Sequence, residues 1–314
     1  MKELIQQLWR WGIGFPFRAY TVMELRTGFA TGFPILSSSL FAAFLTGKLN
    51  LLYLVLFFIC GFSFNIVANV SNEMRAFLKK EENEDTFTGH LGSEGLVRGD
   101  ATFLDACLVL LAWIGLGGLT GLALVYLTKS LMLLALGLIG LLAAITYSLG
   151  PFPYIVLPIG EFVSGLLVGG LSSLVAFWLQ AGELNLNAFV YAFICMMFTI
   201  FLMSTNNTGD YDKDMGVRTT WPHIIGFRNS ILILIPESIL VLIAWGYLSL
   251  TTLTWWQSLA GLLIFYIQGY RRWLKDYLQI TEVYPEMGRD FGPRPLLLIR
   301  SFHVIMAILF FIAI

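Results

Sequence analysis

The segment Asn206-Asn207-Thr208-Gly209-Asp210-Tyr211-Asp212-Lys213-Asp214 follows directly on an apolar run and holds three aspartates. If a helix continues through it, Asn206, Asp210 and Asp214 fall at i, i+4 and i+8 on one face. Oxygen ligands converging there suit magnesium, a hard ion that takes a few carboxylate oxygens and shares its remaining positions with phosphate and water. The same residues, taken alone, also describe an ordinary solvated acidic loop. Another polar cluster, earlier in the chain and so the first of the two, holds Asn65, Asn69, Asn72 and Glu73, then Arg75, Lys79, Lys80, Glu81, Glu82, Glu84 and Asp85. Its first four members form a stripe along an otherwise apolar helix. A bilayer drives such a stripe to the bundle interior, where it serves either a site or interhelical hydrogen bonding.

Taken together, the clusters read as a repeated design flanking a cavity on one face. Asp210 and Asp214, supported by Asn206, are expected to bind one magnesium ion, and Asn72 and Glu73 to approach a second. Arg75, Lys79, Lys213 and Arg218 are candidates for the oxygens of a diphosphate, although basic residues in such loops also serve topology and anionic lipid. A diphosphate held this way lets a prenyl carbon–oxygen bond ionise to an allylic cation, which aromatic faces can shelter.

The elements that must position these residues are membrane helices. The chain is 57% hydrophobic and only 12% charged, with a mean hydropathy of +0.77, far from the soluble average of about a quarter charged. Its apolar stretches are long enough to cross a bilayer and lack alternation, which selects helices over barrel strands. The expectation is an all-α polytopic bundle of about nine transmembrane helices forming a single domain over residues 1–314. The spans are 26–47, 51–71, 102–127, 130–148, 155–180, 186–206, 230–249, 252–270 and 294–314. Residues 1–25, with Lys2, Glu3, Arg10, Arg18, Trp9 and Trp11, form an N-terminal arm and not a cleavable signal.

Charge supports this division. Of the 19 lysines and arginines, only Lys48 and Lys129 fall outside the arm and the alternate loops, which places the N-terminus in the cytoplasm and the C-terminus outside, in the cell membrane. Cys60, Cys107 and Cys195 sit inside helices without metal-knuckle spacing and are read as packing residues. His90, His223 and His303 share no metal spacing. Glu161, Asp105 and Glu237 are costly to bury and are expected to be paired. No nucleic-acid partner is expected.

These motifs resemble the UbiA superfamily of intramembrane prenyltransferases, and within it the 1,4-dihydroxy-2-naphthoate polyprenyltransferases (the MenA branch) of menaquinone synthesis. Asn206-Asn207 through Asp210 and Asp214, with Gly216, Arg218 and Thr219, look like that branch's second Asp-rich motif. Tyr147-Ser-Leu-Gly-Pro151-Phe-Pro153-Tyr154, then Gly160-Glu161, resemble its Tyr-x-x-Gly-Pro-x-Pro and Gly-Glu segments. Gly89-His-Leu-Gly92 with Val97-Arg98, and Arg18-Ala-Tyr-Thr21, add to the match. The sequence departs at the first motif, where Asn72 and Glu73 remain but Ala76 stands at the first Asp position and the second falls near Glu82. The second motif also runs short before Gly216, so Asp212 competes with Asp210 and Asp214 as a ligand. Glu73 or Glu81 is the candidate replacement carboxylate, and Ala76→Asp is expected to preserve or raise activity.

The resemblance implies a magnesium-dependent transferase that joins a polyprenyl diphosphate to an aromatic quinone precursor, with Tyr147 and Tyr154 lining the acceptor pocket. The competing expectations are a noncatalytic lipid- or quinone-binding homologue and a transporter.

Overall fold

The computed structural model describes residues 2–81, 92–284 and 287–314, with backbone alone at 2–11, 13 and 289. Glu82, Glu84, Asp85, His90 and the side chains of Lys2, Glu3, Trp9, Arg10 and Trp11 lie outside the described residues. The regular elements among the described residues are all helices: α1 (Lys2–Met23), α2 (Leu25–Thr46), α3 (Leu51–Lys79), α4 (Phe103–Thr128), α5 (Leu131–Thr146), α6 (Gly160–Ala181) and α7 (Leu186–Gly209) come first. Two short helices, α8 (Tyr211–Asp214) and α9 (Trp221–Ile225), precede α10 (Phe227–Thr251), α11 (Trp255–Ile267), α12 (Tyr270–Leu278), α13 (Met287–Phe291) and α14 (Pro293–Ile312).

Among the described residues, seven helices are long and apolar enough to cross a membrane: α2, α3, α4, α6, α7, α10 and α14. The other two expected spans are occupied by shorter apolar helices, α5 of 16 residues and α11 of 13. At 1.5 Å per residue, α11 extends about 20 Å, short of a bilayer's hydrocarbon core of roughly 30 Å, so among the described residues seven of the nine expected spans have the length to cross. The N-terminal arm is itself helical through α1. Helix ends follow local chemistry: Thr102 and Asp105 form a capping box before α4, Ser130 caps α5, and Asn185 caps α7.

The chain divides into two compact units. The first comprises Met1–Phe29 and Phe62–Pro153. Its core joins Ala19 and Val22 of α1 to Ile66, Val70 and Met74 of α3 and to Ala106 and Val109 of α4, with Leu96 and Ala101 from the intervening loop. Arg18 Nε meets Asp105 Oδ2 at 3.0 Å, with the Asp105 side chain fully buried. That loop is tied to the end of α1: Glu24 N–H donates to Gly92 O at 2.8 Å and Gly95 N–H to Thr21 O at 3.2 Å. A Cβ at Gly95 would stand 2.8 Å from Thr21 O, so a side chain is excluded there.

The second unit comprises Ala30–Gly61 and Tyr154–Ile314. Phe41, Phe177, Tyr191 and Phe310 form one ring cluster, and Phe198, Trp245 and Phe302 another. Helices α6 and α7 run antiparallel and touch through backbone. A Cβ at Gly169 would lie 2.3 Å from Cys195 O, and one at Gly165 would lie 2.3 Å from Ile200 Cγ1 and 3.1 Å from Met196 O. This is the small-xxx-small contact by which membrane helices approach closely. The two glycines lie within a π-helical stretch of α6, Gly165–Leu171.

Candidate functional site

The second polar cluster sits where α7 ends. The helix closes at Gly209, and Asp210 leaves helical geometry with φ −95° and ψ 17°. The backbone ladder nevertheless continues across this break: Asp210 N–H donates to Asn206 O, Asp214 N–H to Asp210 O and Arg218 N–H to Asp214 O, each at 2.9 Å. Asn206, Asp210 and Asp214 therefore keep the i, i+4, i+8 relation that the sequence suggests, although the helix does not run on unbroken. Asp212 is exposed and stands outside this ladder.

Asn206 Nδ2 donates to Asp210 Oδ2 at 3.3 Å. Asp214 is buried, and Arg218 Nε lies 3.8 Å from its Oδ1. Asp210 Oδ1 occupies space that a side chain on α13 would fill, since a Cβ at Gly288 would come within 2.8 Å of it. Gly209 meets the same helix, its would-be Cβ 3.1 Å from Gly288 Cα and 3.3 Å from Phe291 Cβ. No sequence signal marked Gly288, which lies 78 positions from Asp210.

Buried polar side chains hold the cluster from behind. Glu161 Oε1 accepts from Asn207 Nδ2 at 2.7 Å and from Trp221 N–H at 3.1 Å. Glu237 Oε1 accepts the Ser204 hydroxyl at 2.7 Å, one turn earlier on α7. His223 bonds Thr220 Oγ1 through Nδ1 and Tyr211 O through Nε2, each at 2.9 Å, and its ring stacks on Tyr211. The expected pairing of Glu161, Glu237 and Asp105 is thus met by Asn207 with Trp221, by Ser204, and by Arg18 respectively.

The first cluster lies in the other unit and is differently engaged. Glu73 is buried and accepts two backbone N–H groups, Leu96 at 2.8 Å on Oε1 and Glu94 at 2.9 Å on Oε2. Arg75 Nη2 pairs with Glu81 Oε1 at 2.7 Å, and its Nη1 reaches Ser148 O at 3.5 Å. The Ser148 hydroxyl donates to Asn72 Oδ1 at 3.4 Å. The structure therefore joins Asn72 and Arg75 to the Tyr147–Pro153 segment, a link the sequence did not reveal. Asn69 donates to Thr27 Oγ1, Met23 O and Glu24 O, which is the interhelical bonding reading of that position. Lys79 is exposed at the end of α3 and Lys213 half-buried on α8. Tyr147 follows α5 in the first unit and Tyr154 opens a short 3-10 turn in the second, both half-buried.

Among the described residues, no group of three His, Cys, Asp or Glu side chains converges as a metal-ligand set. What Asn206, Asp210 and Asp214 offer is two carboxylates and an amide oxygen. This oxygen donor set fits magnesium, which uses one or two carboxylates and completes its shell with substrate phosphate and water.

The helical arrangement is the fold of UbiA homologues. An apo UbiA homologue from Aeropyrum pernix K1 aligns with a TM-score of 0.65 over 89% of this chain and 96% of its own, at 14% identity. A UbiA homologue from Archaeoglobus fulgidus bound to DMAPP and Mg2+ aligns with a TM-score of 0.56 over 91% and 99%, at 17% identity. In sequence, the chain is similar to the 1,4-dihydroxy-2-naphthoate octaprenyltransferase of Bacillus subtilis (strain 168), at 26% identity over 205 residues. The match covers 64% of this chain and 63% of that enzyme, less than two thirds of the relative's length. No family model matches the chain.

Proposed function

We propose that this protein is a magnesium-dependent intramembrane prenyltransferase. It transfers a polyprenyl group from polyprenyl diphosphate to an aromatic quinone precursor such as 1,4-dihydroxy-2-naphthoate, a step of menaquinone biosynthesis. The observation that carries this reading is the ladder Asn206–Asp210–Asp214–Arg218, which sets two carboxylates, an amide and a guanidinium at successive helical turns. The fold it shares with a homologue bound to DMAPP and Mg2+ and the likeness to the octaprenyltransferase support it.

In this mechanism Asp210 and Asp214 would hold magnesium, with Asn206 orienting Asp210. Magnesium, when bound, neutralises charge on the departing diphosphate. Lys213 and Arg218 take the diphosphate oxygens from this unit, and Arg75 and Lys79 are the corresponding cations of the first cluster. Asn72 and Glu73 are the carbonyl and carboxylate groups assigned to a second ion. As the prenyl carbon–oxygen bond breaks, its electron pair leaves on the diphosphate. The ring carbon of the acceptor forms the new bond, and the ring releases a proton or, in the naphthoate case, its carboxylate leaves as carbon dioxide in the proton's place. Tyr147 and Tyr154 are the residues assigned to the acceptor in this reading. The protein is multi-pass in the plasma membrane, with its N-terminus cytoplasmic and its C-terminus outside, as the basic residues direct.

A second reading, a noncatalytic lipid- or quinone-binding homologue, is favoured by one observation: Glu73 already accepts two backbone N–H groups. Purified protein supplied with polyprenyl diphosphate, dihydroxynaphthoate and magnesium separates the two. Magnesium-dependent prenylated product is expected, and no product across several aromatic acceptors would sink the enzyme reading.

A further inference from the structure

Glu161 is fully buried at the start of a membrane-spanning helix. An ionisable group there is expensive and is retained for a purpose. Its two oxygens are used unequally. Oε1 accepts both Asn207 Nδ2 and Trp221 N–H, whereas among the described residues no group bonds Oε2.

The two donors bracket the candidate site. Asn207 belongs to the last turn of α7, immediately after Asn206, and Trp221 opens α9, three residues beyond Arg218. Between them run Asp210, Asp214 and Arg218, in a segment interrupted by Gly209 and by Gly216 at φ +81°. Glycine imposes little conformational restraint of its own, so the ends of this segment need fastening from outside it. One further bond, Thr219 N–H to Val156 O at 3.1 Å, ties it to the stretch just before α6. The close antiparallel contact of Gly165 and Gly169 with α7 fixes where along α7 the Glu161 carboxylate falls.

We infer that Glu161 is a positioning residue of the second aspartate cluster: through Oε1 it pins both ends of residues 207–221 and so sets Asp210, Asp214 and Arg218 for a magnesium diphosphate that it does not touch. This rests on the prenyltransferase reading. It also makes a distinction that a charge-based role does not. A glutamine keeps an Oε1 acceptor for both N–H donors, so Glu161→Gln preserves the pin, while Glu161→Ala removes it.

The test uses the full chain in lipid nanodiscs, with manganese and inorganic pyrophosphate as probes and manganese read by electron paramagnetic resonance. Losing two hydrogen bonds to a carboxylate is expected to weaken manganese–pyrophosphate binding about tenfold or more in Glu161→Ala. The magnesium concentration for half-maximal activity should rise in step, by more than kcat falls at saturating magnesium. Glu161→Gln should stay within about threefold of the wild type, because both bonds are retained and only weakened by loss of the charge. Wild-type binding in Glu161→Ala, or equal damage in Glu161→Gln, overturns the inference.

Should Glu161→Ala not fold, Asn207→Leu removes the α7 donor alone and is expected to weaken binding in the same sense; unchanged binding there overturns the inference too. Asp210→Ala is the control for the underlying reading. If it binds the probes as well as wild type, the diphosphate assignment fails, and amide exchange of residues 215–221 then judges the pin by itself. That exchange should quicken in Glu161→Ala and not in Glu161→Gln, and equal exchange in the two overturns the pin.

Discussion

The backbone N–H of Leu96 donates to Glu73 Oε1 at 2.8 Å, from a loop 23 residues further along the chain. With Glu94 N–H on Oε2, the carboxylate closes that loop onto α3. Glu73→Gln places an amide NH2 against one of these N–H groups and should cost about 1–3 kcal/mol, the penalty for a buried donor left unsatisfied. A lowered thermal midpoint in nanodiscs is expected, together with weakened manganese binding if Glu73 also serves the second ion assigned to it. Lowered stability with unchanged manganese affinity would make Glu73 a loop clamp and remove it from the metal set.

Removal of magnesium by a chelator should abolish product formation, and added magnesium should restore it. Asp210→Ala should lower kcat/KM by about a hundredfold or more, the scale set by losing a group that stabilises developing charge. Initial rates at several magnesium concentrations check this. Retained activity in Asp210→Ala would remove the ladder from the mechanism.

Gly288→Ala offers a test from the far side of the carboxylate. The added methyl would stand 2.8 Å from Asp210 Oδ1, and the flexible carboxylate must turn aside. Activity should fall about tenfold through a displaced ligand, whereas overpacking of this size costs only about 1–3 kcal/mol of stability. Activity assays and melting curves on the same preparation separate the two effects. Full activity would show that Asp210 Oδ1 need not occupy this position.

Ala76→Asp tests the departure in the first motif. Read from the sequence, the position is one where an aspartate belongs. In the structure Ala76 is only 2% exposed, and its carbonyl accepts Glu81 N–H at 3.0 Å as the chain folds back after α3. A carboxylate introduced there meets a desolvation cost of about 2 kcal/mol or more unless it finds a partner. Lower thermal stability without gain in turnover is expected. A rise in turnover would restore the sequence-based expectation.

The spans were legible because lipid demands length and apolarity in one continuous stretch, a signal carried by composition. Helices α5 and α11 fell short of their expected spans because their ends are set by caps and turns, which hydropathy does not register. Within the site, the Asn206, Asp210 and Asp214 relation was legible because it is local, four residues at a time. The partners that give it shape were not. Glu161 reaches Asn207 across 46 residues and Gly288 reaches Asp210 across 78, through helix contacts that no spacing rule encodes. Glu73 shows the converse: its type suggested a ligand, and only the loop folded over it reveals its two backbone donors.

The π-helical stretch of α6, Gly165–Leu171, gives that helix an unusual tolerance of length at one place. Most single-residue deletions in a bilayer-spanning helix merely exchange one greasy face for another. A deletion between Glu161 and Gly165 would do more, turning the Glu161 carboxylate by about 100° away from Asn207 while α7 stayed where it was. A deletion within Gly165–Leu171 that tightened its wide turns into ordinary α-helix would take up the lost residue and leave the two flanks in phase. The segment therefore acts as a phase adjuster, and single-residue deletions should be better tolerated there than in the turn that precedes it.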